Sequence, residues 1–254
     1  MQRDYIYVGI IWLVLTFLGE LLLPGLNMLP FLASEQGATI DGAFSYLLIM
    51  AVPVFSFVIA ALVYSIFRFR DRGEGEDGPP IKNNNLLYAA WLFVTGGLAV
   101  SILIYPGVVG VAELRENNEA ELVVEVVAEQ WNWSYTYPES GVTLRNTNEL
   151  VLPVDTAVKF EVTSTDVVHS FWVPAFRMKI DAVPGEVTEM YVTTSAVSST
   201  DDQFNVRVQC AELCGTGHAN MRTSLTIMEQ SEFEAWLAAQ AQKNVDTAVA
   251  SSNQ

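Results

Sequence analysis

Soft metal ligands and positive charge are both scarce in this 254-residue chain. It holds two cysteines and two histidines, and 13 Lys and Arg against 29 Asp and Glu, for a net charge of −16. So few cations exclude a nucleic-acid binder, which needs a positive surface to displace counterions from phosphates. Charged residues of either sign make up only 17% of the chain and 51% is hydrophobic. A charged fraction well under the usual quarter excludes a disordered or tail-like polypeptide as well. Internal repeats are absent. The acid is unevenly placed: from Glu113 onward, 21 acidic residues face 8 basic ones, so this part carries −13 of the −16. Most of the long uncharged runs lie before it.

Three of those runs approach the roughly 20 apolar residues that a bilayer crossing needs. The first spans about Tyr5 to Leu29 and is interrupted by Glu20 and Pro24. The second, about Ala43 to Phe67, and the third, about Leu86 to Val111, contain no charge. Between the last two lie Arg68, Arg70, Arg72 and Lys82, four of the five basic residues before position 113. That bias makes the loop cytoplasmic. It leaves the N-terminus inside and everything after Val111 on the outer side of a multi-pass protein. The first run, residues 1–42, reads as a third transmembrane helix or as a signal peptide cleaved near Leu32-Ala33-Ser34. Residues 43–112 read as a helical hairpin. Glu20 reads as a side chain reaching the outer headgroup layer.

After about Glu121 the pattern alternates. Glu121–Val127, Ala157–Thr163, Val187–Thr194, Phe204–Gln209 and Ser224–Met228 read as strands, separated by turn clusters such as Val183-Pro-Gly185. Short strands at this spacing predict a Greek-key sandwich or barrel over residues 113–230. Ser231-Glu-Phe-Glu234 is a capping box that opens a short helix to about Gln242, within a C-terminal segment 231–254 whose tail looks frayed from Asn244.

The chemistry is concentrated in Cys210-Ala-Glu-Leu-Cys-Gly-Thr-Gly-His-Ala-Asn-Met221. Two thiols stand four residues apart, a His four beyond the second, and a Met three beyond that. The other histidine, His169, lies 41 residues upstream of Cys210 at the end of an expected strand. Thiolate, imidazole and thioether together are the ligand set of copper electron-transfer sites. Two Cys in one loop suit a pair of coppers sharing both thiolates, with one His per metal. The alternatives are a disulfide, tight for a loop of three residues and silent on His218 and Met221, and zinc, which rarely recruits Met.

With Val168-His-Ser-Phe-Trp-Val-Pro-Ala-Phe-Arg-Met-Lys-Ile-Asp-Ala-Val-Pro-Gly185 and Gln130-Trp-Asn-Trp-Ser-Tyr-Thr-Tyr137, this loop resembles subunit II of haem-copper cytochrome c oxidase. The similarity runs from about Ala43 to Leu237. It implies a membrane-anchored all-β fold: N-terminal transmembrane helices, then a cupredoxin-like Greek-key β-barrel with a short C-terminal helix. It also implies a binuclear Cu A centre held by His169, Cys210, Cys214, His218, Met221 and the backbone carbonyl of Glu212. The Glu212 carboxylate would reach a magnesium ion at the interface with subunit I. Trp131 would be the surface aromatic where electrons arrive. Trp131, Trp133, Tyr135 and Tyr137 alternate and so share one face of a strand, Trp133 and Tyr135 as packing.

The expected role is therefore that of the electron-accepting subunit of a proton-translocating terminal oxidase in a bacterial plasma membrane, with its copper domain outside. Its partners would be the haem-bearing subunit I, other oxidase subunits, membrane lipid and a soluble donor, cytochrome c or a blue-copper protein. The acid excess, with Asp166 as a member, reads either as a negative docking surface for a cationic donor or as the acidity that keeps an exported domain soluble. Two departures from the family stand out. Lys82–Trp91 lacks the carboxylate that often feeds a proton path, and the first hydrophobic segment is additional to the two-helix plan. A membrane-tethered copper chaperone or thiol oxidoreductase using Cys-x-x-x-Cys is the alternative, and it would sit on a thioredoxin-like α/β fold.

Overall fold

The computed structural model describes residues 2–26, 28–70, 83–115, 119–147 and 149–252. Arg72 and Lys82 of the basic loop fall outside these residues. The chain packs as two units: Met1–Met28 with Gly42–Ala112, and Leu29–Asp41 with Glu113–Gln254.

The first unit is helical. Helices α1 (Gln2–Leu22), α2 (Glu35–Arg68) and α3 (Asn85–Ile102) supply it, and a π-turn at Leu103–Val108, around Pro106, carries α3 into α4 (Val109–Arg115). Three stretches, Arg3–Leu22, Glu35–Arg68 and Asn85–Arg115, are long and apolar enough to cross a membrane. The first is a helix packed antiparallel on α2. Tyr64 Oη donates to Asp4 at 2.7 Å, Arg68 pairs with the same carboxylate at 3.2 Å, and Trp12 Nε1 donates to the Pro53 carbonyl at 2.8 Å. A Cβ on Gly19 would stand 2.7 Å from Val52 Cγ1, so the helices cross where only glycine fits. Glu20, in the last turn of α1, is half-buried. Tyr46 and Ser101 hydrogen-bond between α2 and α3, and Asn84 caps α3 by accepting from the Leu87 amide. Large side chains such as Phe17, Phe67 and Phe93 are left exposed, as lipid or further helices require.

The second unit is a two-sheet, cupredoxin-like β-sandwich. Its strands are β1 (Leu122–Glu129), β2 (Asn132–Tyr137), β3 (Val142–Thr147), β4 (Glu149–Pro153), β5 (Ala157–Ser164), β6 (His169–Val173), β7 (Met178–Ala182), β8 (Thr188–Thr193), β9 (Ser198–Ser199), β10 (Arg207–Cys210) and β11 (Arg222–Met228). One sheet runs β3-β2-β1-β5-β8. The other runs β4-β11-β10-β6-β7, with β9 beside β11. Alternation fills the core: Val124, Val126 and Ala128 of β1, Val158, Phe160 and Val162 of β5, and Leu225 and Ile227 of β11 are all buried. Trp133, Tyr135, Tyr137 and Phe171 fill the space between the sheets.

Several expectations change. His169 begins β6 rather than ending a strand. Trp131 lies in the turn before β2, so it does not share the buried face of Trp133, Tyr135 and Tyr137. The strand expected from Phe204 starts at Arg207, because Phe204 turns outward beneath the Arg207 guanidinium, 3.7 Å from its ring centroid. The C-terminal helix α5 (Gln230–Ser252) begins one residue before the capping box and runs ten beyond Gln242, since its alanines favour helix through the polar stretch read as frayed. Phe233 and Trp236 fasten its start by packing on Tyr137.

Residues 29–41 are stitched to the sandwich. Ala33 N donates to Ala175 O, Thr193 N to Gln36 Oε1, and Asn205 Nδ2 to Phe31 O. Arg177 holds the left-handed φ of 61° that ends the Pro174–Phe176 turn. Its guanidinium donates to both Asp41 oxygens, at 2.7 and 3.0 Å, and to the carbonyls of Pro30, Phe31 and Pro174. With the pair largely buried, Arg177→Met is expected to cost about 3 kcal/mol by removing the two-pronged ion pair with Asp41 and the bonds to three carbonyls. Denaturant unfolding of the purified chain and faster hydrogen exchange over residues 30–41 would measure the loss.

Candidate metal centre

The pairing of β6 with β10 sets the site. These strands run antiparallel with Cys210 opposite Phe171 and Gln209 opposite Trp172, which brings His169 to the sulfur of Cys210. Beyond Cys210 the chain leaves the ladder and returns at β11. Cys210 N donates to Met221 O and Ala211 N to Ser170 O, both at 3.0 Å, closing the neck of the loop. Inside it, His218 N bonds Gly215 O, Asn220 N bonds Gly217 O and Met221 N bonds His218 O. Gly215 holds φ at 114°, a backbone state that side chains disfavour.

All five side chains singled out as ligands come together. The two sulfurs stand 3.7 Å apart, unbonded and buried, against the ~2.05 Å of a disulfide. His169 Nδ1 is 3.9 Å from Cys210 Sγ, and His218 Nδ1 is 3.6 Å from Cys214 Sγ. Met221 Sδ lies 3.8 Å from Cys214 Sγ, and the Glu212 carbonyl oxygen 3.2 Å from Cys210 Sγ. The cluster thus has a Cys210 side, with His169 and the Glu212 carbonyl, and a Cys214 side, with His218 and Met221. The ligand atoms of His169, Cys210 and Cys214 all lie within 4.8 Å of one another. His169 and Met221 are fully buried, His218 half-buried, and the Glu212 side chain exposed.

Asp166 orients His169. Its Oδ1 lies 2.9 Å from His169 Nε2, which fixes the ring with Nδ1 toward the sulfurs. The same carboxylate accepts from the amides of Val167 and Gln130 and from the Ser164 hydroxyl. Burial raises its pKa, but the His169 bond, the two amides and the hydroxyl outweigh burial and hold it at about 2, from 3.8. Held by four donors yet with its side chain 31% exposed, Asp166 orients His169 and still presents a negative charge at the surface. Burial, reinforced by the neighbouring Cys210, pushes the Cys214 thiol up to about 12.

Trp131 lies on the ligand loop. Its Nε1 donates to the Cys214 carbonyl at 3.2 Å, and a Cβ on Gly217 would fall 2.3 Å from the indole, so the ring rests flat on that glycine. Trp131 is 38% exposed, and the exposed Val167, Val168 and Leu213 line a shallow pocket with Gln130, Cys214 and Gly215. This apolar rim escaped the sequence reading, since each residue looks unremarkable until the loops meet. Gln130 escaped it too. Trp133 is buried and packs edge-on to His169 with ring centroids 6.3 Å apart.

A membrane-anchored β-sandwich that gathers two free thiols, two imidazoles and a thioether at one end defines a class: an anchored metalloprotein of cupredoxin type. The chain belongs to the cytochrome c oxidase subunit II family. The family model for the periplasmic domain of cytochrome c oxidase subunit II matches residues 140–228. Cytochrome c oxidase subunit 2 of Thermostichus vulcanus is 30% identical, over 83% of this chain and 77% of that protein. Heme-copper oxidase subunit 2 of Aeropyrum pernix is 34% identical, over 74% and 85%. Among solved structures, the periplasmic domain of subunit II of the Bradyrhizobium japonicum oxidase is similar at 32% identity, covering 49% of this chain and 96% of that one, with a TM-score of 0.45.

The Asp166 contribution has a defined pH window. A carboxyl whose pKa falls from 3.8 to about 2 on folding stabilises fully above about pH 4, and the stabilisation is lost as pH falls toward 2. Asp166→Asn is expected to flatten acid unfolding across that window, as followed by circular dichroism.

Proposed function

We propose that this chain is the copper-bearing subunit through which electrons from a soluble donor reach the haem-bearing subunit I of a terminal oxidase, where oxygen is reduced. The observation that carries the reading is that each of two adjacent sulfurs has its own imidazole, at 3.6 and 3.9 Å. The donor set fits a binuclear copper centre: two soft thiols, two imidazoles, a thioether and a backbone carbonyl gathered in one buried cluster. His169, Cys210, the Glu212 carbonyl, Cys214, His218 and Met221 would hold it. When bound, a copper pair supplies a one-electron carrier with its charge spread over two metals and two thiolates.

The chain's own residues prepare that chemistry. Burial of both sulfurs and of His169 excludes water. Asp166 keeps His169 Nδ1 aimed at Cys210. Trp131 ties the surface to the ligand loop through its bond to the Cys214 carbonyl, and the exposed Val167, Val168 and Leu213 would give a donor an apolar landing point by the same loop. The exposed Glu212 carboxylate is available to a magnesium ion at the subunit I interface. The basic loop between α2 and α3 on the cytoplasmic side would place the sandwich outside a bacterial plasma membrane, with exposed helix faces against subunit I, other subunits and lipid. Proton translocation would belong to the assembled oxidase. With no acid at Lys82–Trp91, any proton path there would use another group. A thiol oxidoreductase would need a thioredoxin-like α/β scaffold, which this sandwich is not.

The purified oxidase is expected to carry two coppers on this chain, with a purple mixed-valence spectrum and a seven-line electron paramagnetic resonance pattern. Cys214→Ser is expected to abolish both signatures and leave at most one copper. One Cu(I) per wild-type chain with a readily formed disulfide would defeat the proposal. Trp131→Phe is expected to slow reduction by the native soluble donor in stopped-flow traces while copper content stays at two.

A further inference from the structure

Gln130 sits in the turn between β1 and β2 and touches both sides of the cluster. Its main-chain N–H donates to Asp166 Oδ2 at 2.7 Å, and the other oxygen of that carboxylate lies 2.9 Å from His169 Nε2. Its side-chain amide reaches the opposite way and donates to the Cys214 carbonyl at 2.7 Å. A carbonyl only accepts, so the atom facing it is the NH₂ nitrogen. His169 and Cys214 belong to segments 45 residues apart in sequence, and this one residue bonds to the support of the first and the backbone of the second. The fit is close: a Cβ on Gly215 would lie 3.0 Å from Gln130 Nε2.

We infer that Gln130 is a positioning residue that fixes the spacing of the two halves of the centre, an inference that rests on the copper reading above. The two arms differ in how they respond to substitution. The main-chain arm to Asp166 survives any side chain, so His169 keeps its orientation. The amide arm does not survive, and Cys214 then depends on the Trp131 indole alone. Loss of the amide therefore loosens the Cys214 side, with His218 and Met221, and leaves the Cys210 side in place. The two metal positions become unequal. Glutamate at this position has the same shape but, ionised, is acceptor-only and faces a carbonyl oxygen, so it loses the bond and adds repulsion. Its negative charge also favours the oxidised centre.

The test is Gln130→Ala and Gln130→Glu in the assembled, purified oxidase, with copper content, electron paramagnetic resonance, midpoint potential and copper retention against a chelator as readouts. Both variants are expected to bind two coppers but to lose the even seven-line pattern. They are expected to retain copper about tenfold less tightly, the lower end of what removal of an outer-shell partner costs. Gln130→Glu is expected to lower the potential as well. If Gln130→Ala fails to assemble, the isosteric Gln130→Glu decides. A wild-type pattern and wild-type retention in the variants would overturn the role of Gln130 and leave the copper reading standing. A wild-type oxidase without the two-copper spectrum would bring down that reading and this inference together, a failure visible before any variant is made.

Discussion

His169 and Cys210 are 41 residues apart and meet because β6 and β10 pair antiparallel with Cys210 opposite Phe171. That register is the constraint on which the rest of the centre depends. It is strongly specified, because a slip of one residue would turn Phe171 and Val173, now fully buried, toward the outside and send Trp172 into the core. The same ladder supplies the neck of the ligand loop through Ala211 N and Ser170 O. Core packing and ligand placement are thus two consequences of one pairing, and the core's stability is what holds the donor atoms still.

Around this pairing the molecule surrounds the soft donors with fixed polar partners. Asp166 is satisfied on both oxygens and in turn orders His169, so the imidazole has no freedom to turn its other nitrogen inward. Gln130 and Trp131 both donate to the Cys214 carbonyl, and glycines at 215 and 217 let the indole lie against the backbone. A loop with a glycine at positive φ and little regular structure would otherwise be mobile. Here it is tied to the strand neck through Cys210 N and Ala211 N, to the β1–β2 turn through the Cys214 carbonyl, and within itself through His218 N, Asn220 N and Met221 N.

The helical unit shows a different economy of interactions. Among the described residues, polar contacts join the helices at their crossings: Asp4 with Tyr64 and Arg68, Trp12 with the Pro53 carbonyl, Tyr46 with Ser101. In an apolar medium burial offers no net drive between helices, so close approach and directed hydrogen bonds fix their arrangement. Gly19 against Val52 supplies the close approach. Large apolar side chains remain on the outside of all three helices, the surface that a membrane and a partner subunit would cover.

Much of this was legible in the chain itself. Long apolar runs marked the three spans, alternation marked β1, β5, β8 and β11, and the spacing of Cys210, Cys214, His218 and Met221 marked the ligand loop, because those signals are local. Folding alone decided what local signals cannot carry. Trp131 left the strand face of its neighbours because the β1–β2 turn ends at Trp131, just before Asn132. Asp166 gained the Gln130 amide from the distant β1–β2 turn beside its local partners Ser164, Val167 and His169. Gln130 gained its bonds, and residues 29–41 their attachment through Arg177, only once distant parts of the chain were packed. Residue type and spacing determine which atoms are available to bind, whereas long-range strand register and loop packing determine where those atoms are, since contacts between distant segments leave no period in the sequence.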